Sequence, residues 1–118
     1  MPAHGAWALA ACYQDGVGGR RTLPLAVAVG GAPGGAANMT VGGCLDACAA
    51  AGCATCGLEY AQECWGSSAG AVDASLLAPP AADPLAAGCA YACRGDATQA
   101  CGGADRVLVY VYNGTAGM

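Results

Sequence analysis

The sequence predicts a small disulfide-rich α+β domain, an antiparallel sheet of about four or five short strands with one helix packed across it. Three observations lead there. Large apolar side chains are scarce: Leu 9, Val 8 and no Ile or Phe give 17 of 118 residues, about 14%. A chain below roughly 20% struggles to offset its ordering entropy by burial alone, and the 56% hydrophobic content is swollen by 30 alanines. Nine cysteines supply the alternative, since each disulfide contributes roughly 2–4 kcal/mol by restricting the unfolded chain. Finally, a capped helical stretch stands among short alternating segments, and 118 residues suffice for one domain.

Taken in order, Trp7-Ala-Leu-Ala-Ala-Cys-Tyr13 reads as a first strand entering the core. No positive residue precedes it and it runs straight into Cys12-Tyr13, unlike a signal peptide. The chain then reads as a domain or piece of a larger protein. Asp15-Gly16 and Gly18-Gly19 mark a turn. Leu23, Leu25, Val27 and Val29 alternate like a short strand, and residues 30–38 form a loop. Thr40 caps a helix that Gly52 ends, with Val41, Cys44, Leu45 and Cys48 on one face. Residues 55–65 read as a single strand, with Cys56, Leu58, Tyr60, Gln62 and Cys64 on one side and Glu59 and Glu63 on the other. Tyr60 is thereby expected to be buried against the helix. Residues 66–88 are an irregular excursion, and a compact segment with Cys101-Gly102-Gly103 follows. Arg106 to Tyr112 is the clearest strand, ended by Asn113-Gly114.

Cysteine at this density belongs to an oxidising, extracellular or cell-surface setting. The sequons at Asn38 and Asn113 agree with it. No lysine and four arginines stand against eight acids, for a net charge of −4. Nucleic acid and anionic lipid are therefore not expected partners. No apolar run reaches the roughly 20 residues of a membrane span.

Ala11-Cys12-Tyr13-Gln14-Asp15, Arg21-Thr22-Leu23, Met39-Thr40-Val41 with Cys44 and Cys48, and the stretch from Gly57 to Gly66 recur in a recognisable order. Cys89, Cys93, Cys101-Gly102-Gly103 and Arg106 to Tyr110 complete it. Over residues 7–112 the chain resembles the WSC domain, a cysteine-rich extracellular module linked to carbohydrate binding and related to PAN/apple modules. Residues 1–6 and 113–118 are then flanks. The resemblance implies bridges Cys12–Cys89, Cys44–Cys64 and Cys93–Cys101, and makes Arg21 a structural anchor. It also implies partners among polysaccharides or glycoprotein glycans and no cofactor.

The chain departs from the family in one block. The usual Cys-aromatic-Cys-Gly reads Cys64-Trp65-Gly66 here, while Cys53 and Cys56 are additional. Cys48 thus lacks its usual partner. Cys53 or Cys56 reaches it if the chain turns back at Gly52; Cys56 is preferred because Cys53 lies within the turn. Cys53 is then the odd thiol.

Other chemistries fit less well. Cys53-Ala-Thr-Cys56 has zinc-knuckle spacing, but no second CxxC accompanies it and His4, the sole histidine, lies outside the pattern. Glu59 and Glu63 on one strand would stand roughly 13 Å apart, too far for a glycosidase pair at about 5–5.5 or about 6.5–9.5 Å. Sugar binding calls for exposed aromatic faces with polar groups beside them. Trp7, Tyr13 and Tyr110 lie in strand patterns and read as core. That leaves Trp65 and Tyr91 as candidate platforms, with Glu59 and Arg20 as candidate polar partners. The function expected is non-catalytic glycan binding, the alternative a structural or protein-interaction module of a cell-surface receptor or wall-stress sensor.

Overall fold

A computed structural model describes residues 7–19, 21–29, 38–80 and 82–112. Its main sheet is antiparallel and five-stranded. The order is β1 (Trp7–Gln14), β7 (Arg106–Tyr112), β3 (Thr55–Glu59), β4 (Glu63–Ser67), β2 (Leu25–Ala26). A separate ribbon pairs β5 (Ala92–Cys93) with β6 (Asp96–Ala100). The one α-helix among the described residues is α1 (Val41–Ala50), beside two single 3-10 turns at Val17–Gly19 and Ala74–Leu76.

The period-two alternation of β7 organises the interior. Leu108 and Tyr110 join the larger buried cluster, which α1 caps with Val41, Cys44, Leu45 and Cys48. Val107 and Val109 belong to a smaller cluster with Leu23, against which Tyr13, Trp65 and Val72 pack. Thus both faces of the sheet are covered, the first by the helix and the second by returning loops. Thr40 caps α1 through its side chain, which accepts from Gly43 N at 3.0 Å. Gly52, at φ 79°, lets the chain leave the helix in the left-handed region.

Four disulfides cross-link these layers: Cys12–Cys89, Cys44–Cys64, Cys48–Cys56 and Cys93–Cys101. Cys53 is free and buried. The bridges Cys44–Cys64 and Cys48–Cys56 sew one face of α1 onto β4 and β3. The long excursion after β4 is held to the body where Ala78 N donates to Cys12 O at 3.0 Å.

Residues 55–65 correct the single-strand expectation. They form a hairpin in which Glu59 pairs directly with Glu63 and Leu58 with Cys64. Tyr60 and Ala61 make the turn at positive φ, 55° and 68°. Neither is a residue that favours this conformation. Distant backbone supplies the reason: Tyr60 N donates to Gly103 O at 3.3 Å and Ala61 N to Cys101 O at 3.0 Å. Tyr60 is consequently exposed rather than packed under the helix. Of the alternating stretch 23–29, only Leu25 and Ala26 pair as a strand, on β4. Strand β6, which carries no strong apolar alternation, was not expected; Asp96 turns the chain into it by accepting from Thr98 N at 2.9 Å. No helix of the described residues is long and apolar enough to cross a membrane.

Candidate functional site

The site lies on the sheet face opposite α1. Cys64 and Gly66 point from β4 toward the helix side, so Glu63, Trp65 and Ser67 point the other way. Glu59 projects from β3 to the same face as Glu63. Gly57, opposite Trp65 in register, has no side chain there because a Cβ would strike Val107 and come within 2.7 Å of Leu23 Cδ1.

Arg21 binds this face together. Its Nη1 donates to Asp15 Oδ2 at 2.7 Å and Glu59 Oε1 at 3.1 Å, and lies 3.7 Å from Glu63 Oε1. Its guanidinium carbon sits 3.9 Å above the Trp65 ring centroid, a cation–π stack. Trp65 in turn donates from Nε1 to Glu63 Oε1 at 3.0 Å. Asp15 also accepts from Thr22 N at 2.7 Å, which shapes the loop that delivers Arg21. Asp15, expected as a simple turn residue, is therefore a buried anchor.

The two buried carboxyls differ in protonation. Burial, the hydrogen bond to Asp15 and the Asp15 charge push Glu59 up to about 9, against the opposing pull of Arg21. Burial also raises Asp15, but hydrogen bonds from Glu59 and the Thr22 and Gly16 backbone, with the Arg21 charge, outweigh it and hold that carboxyl below its ordinary value. At neutral pH the pair thus holds one proton, on Glu59, which donates to the Asp15 carboxylate. The contact between Arg21 and Glu59 is then a hydrogen bond to a neutral acid, and Asp15 is the ion-pair partner. Glu59, only 4% exposed, forms the floor of the site and holds up the residues above it.

Above this floor is an open cavity of about 320 Å³ lined by Arg21, Glu59, Tyr60, Glu63, Ala104 and Asp105. Tyr60 stands at its rim, 52% exposed. Its ring centroid is 5.8 Å from that of Tyr91, itself 43% exposed. Tyr91 is held by its backbone, N to Gly102 O at 2.8 Å, with Cys101 N returning a bond to its O at 2.8 Å.

The sequence matches the family model of the WSC domain over residues 9–103. The chain belongs to the WSC domain family. It is 38% identical over 106 residues to a WSC domain-containing protein of Arthroderma benhamiae, covering 88% of this chain and 10% of that protein. It is 37% identical over 102 residues to a protein of Chaetomium globosum named putative fungistatic metabolite, covering 86% of this chain and 40% of that one. The chain thus spans less than half the length of these relatives. WSC domains are non-catalytic, cysteine-rich modules of the cell-surface, carbohydrate-binding type.

The site residues expected for this WSC domain are scattered in role. Tyr91 is displayed. Trp65 is half-buried beneath Arg21, and Glu59 is the buried floor. Arg20 lies outside the described residues, as does Asn113; Asn38 is exposed. Tyr60, Glu63 and Asp105 join the site without having been expected there. Only a hairpin turn at 60–62 could have signalled Tyr60, and the turn carries no Gly, Asn or Pro. The hairpin also brings Glu59 and Glu63 together, against the 13 Å separation expected of one strand, and Arg21 accounts for their convergence. On the helix side, Cys44, Cys48, Cys56 and Cys64 gather four sulfurs within 4.8 Å. All four are tied in disulfides, and a metal would need them as thiolates.

Proposed function

We propose that this WSC domain binds polysaccharide of a cell wall or extracellular matrix, without catalysis, through the Tyr60–Tyr91 pair. The observation that carries the reading is that pair. A chain with seven aromatics and few aliphatics leaves two tyrosines side by side on its surface, at the edge of a polar cavity. Aromatic faces stack on the C–H faces of pyranose rings, while Glu63, Asp105 and Arg21 offer acceptors and donors to hydroxyls. The shallow surface implies modest affinity at each site. Four disulfides suit an extracellular setting. In longer proteins such a module raises the local concentration of its neighbours on the polymer.

Retention of the protein on insoluble β-glucan, xylan and chitin tests this. Tyr60→Ala and Tyr91→Ala should each weaken retention about tenfold, equivalent to about 1.4 kcal/mol, with Tm unchanged because both rings are exposed. Absence of retention on all three polymers would transfer the reading to a protein-interaction module.

A further inference from the structure

We propose that the glycan site is one half of a two-part trough, and that it takes an internal run of a neutral linear polysaccharide rather than a chain end. The inference rests on the glycan reading above and deepens it. A second open cavity of about 550 Å³ lies on the same sheet face, lined among others by Arg21, Thr22, Ser67, Ala71 and Asp73. Arg21 lines both cavities. It is the shared wall, not a residue of one site alone.

Arg21 is also the best-prepared donor on this face. All its hydrogen bonds to described residues leave from Nη1. Nε and Nη2 have no hydrogen-bond partner among the described residues, and the side chain is 42% exposed. The stack on Trp65 and the bond to Asp15 fix the guanidinium before any ligand arrives, so binding to it forfeits little side-chain entropy. Fixed N–H groups at the junction of two compartments suit the hydroxyls of a chain passing from one to the other. The Tyr60–Tyr91 platform would hold one stretch of rings. Thr22, Ser67 and Asp73 would meet the next with a hydroxyl, a second hydroxyl and a carboxylate.

The openness of both compartments is what selects an internal run, because a chain end is held by a closed pocket. The acidic side chains along the trough, Glu63, Asp105 and Asp73, disfavour a polymer bearing carboxylates. Arg21, already engaged with Asp15, does not offset them.

The test is a titration of the protein with neutral β-linked gluco-, xylo- and chito-oligosaccharides, from disaccharide to octasaccharide, with a uronate oligosaccharide beside them. Trp fluorescence is the readout, since Trp65 lies under Arg21. Short oligosaccharides should bind at the tyrosines alone. Beyond a threshold length, affinity should rise about tenfold or more as the second compartment fills. The double variant Ala69→Leu/Ala71→Leu fills that compartment from exposed positions. It should return long oligosaccharides to the affinity of short ones, leaving short ones and Tm unaltered. Affinity that stops growing at the shortest ligands, or a double variant that binds long chains like the wild type, overturns the trough while leaving the tyrosine platform standing. Equal binding of the uronate overturns the neutral-ligand assignment. Failure of every oligosaccharide, with Tyr60→Ala indistinguishable from wild type, overturns the glycan reading itself.

Discussion

Replacing Glu59 with Gln should remove a pH dependence that the wild-type fold carries. Folded Glu59 keeps its proton up to about 9, whereas the ordinary value is 4.5. Between those values the folded chain holds one proton more than the unfolded chain, so stability falls as pH rises. Below the lower value this group adds no slope. An isolated group would contribute about 1.4 kcal/mol per pH unit. From about pH 6 to about pH 8 the loss is therefore at most about 3 kcal/mol, on the order of 10 °C in Tm for a domain of this size. Asp15 behaves oppositely. Its carboxyl is held low, so its stabilisation is present above the ordinary Asp value and lost as pH falls through the folded one, outside this window. In Glu59→Gln the amide still donates to Asp15 but cannot ionise. Thermal melts by circular dichroism across the window should show a sloping wild type and a flatter variant, with the variant more stable on the alkaline side. A Glu59→Gln protein with the wild-type slope, or one less stable than wild type at about pH 8, would refute the shared-proton account.

Three further outcomes follow from the sulfur layer. Gly66→Ala should destabilise by roughly 1–3 kcal/mol, because the added Cβ meets Cys53 Sγ at 2.6 Å; Cys53→Ala should restore part of the loss in a double-mutant cycle by chemical denaturation. Replacing Cys12 and Cys89 by Ala should cost about 4.5 kcal/mol and replacing Cys93 and Cys101 only about 2.5 kcal/mol, as loop entropy predicts for separations of 77 and 8 residues; equal costs in denaturant titrations would show that strain or local packing outweighs loop length. Cys53, buried and with its thiol pushed up by desolvation, should alkylate slowly in the native protein and rapidly once unfolded, as read by intact mass.

Much of the frame was legible because its signals are local. Thr40 and Gly52 bracket α1 by capping chemistry alone, and the alternation of residues 106–112 gives β7 and its two faces. The functional face was less legible because long-range contacts build it. Positive φ at Tyr60 and Ala61 is bought by hydrogen bonds to Cys101 and Gly103, some forty residues away. Nothing within Glu59-Tyr60-Ala61-Gln62-Glu63 marks a turn. Reading that stretch as one strand buries Tyr60 on the cysteine side, whereas the hairpin exposes it and buries Glu59. Asp15 was misread for a related reason, since its partners Arg21 and Glu59 lie on a neighbouring loop and a distant strand.

The same hairpin explains how this chain tolerates the loss of a cysteine usual in its family. The expected Cys-aromatic-Cys block carries Gly66 at its third position, leaving Cys48 without a strand partner. Cys56 stands directly across from Gly66 in the β3–β4 register, and Cys48 is bridged to it at a Cα separation of 6.0 Å. The sulfur has moved sideways by one strand, a shift that a helix lying across both strands can accept. The vacated space beside Gly66 is occupied by the Cys53 thiol. Cys56 thus restores the cross-link and Cys53 fills the hole, so the two additional cysteines act as one compensation. On this account, moving the sulfur back with Gly66→Cys should succeed only in a background lacking both Cys53 and Cys56. In that triple variant Cys48 pairs with position 66 and the hairpin keeps its register. A triple variant that left Cys48 reduced would mean that Cys48 cannot reach position 66 on β4, and the compensation would have to be explained another way.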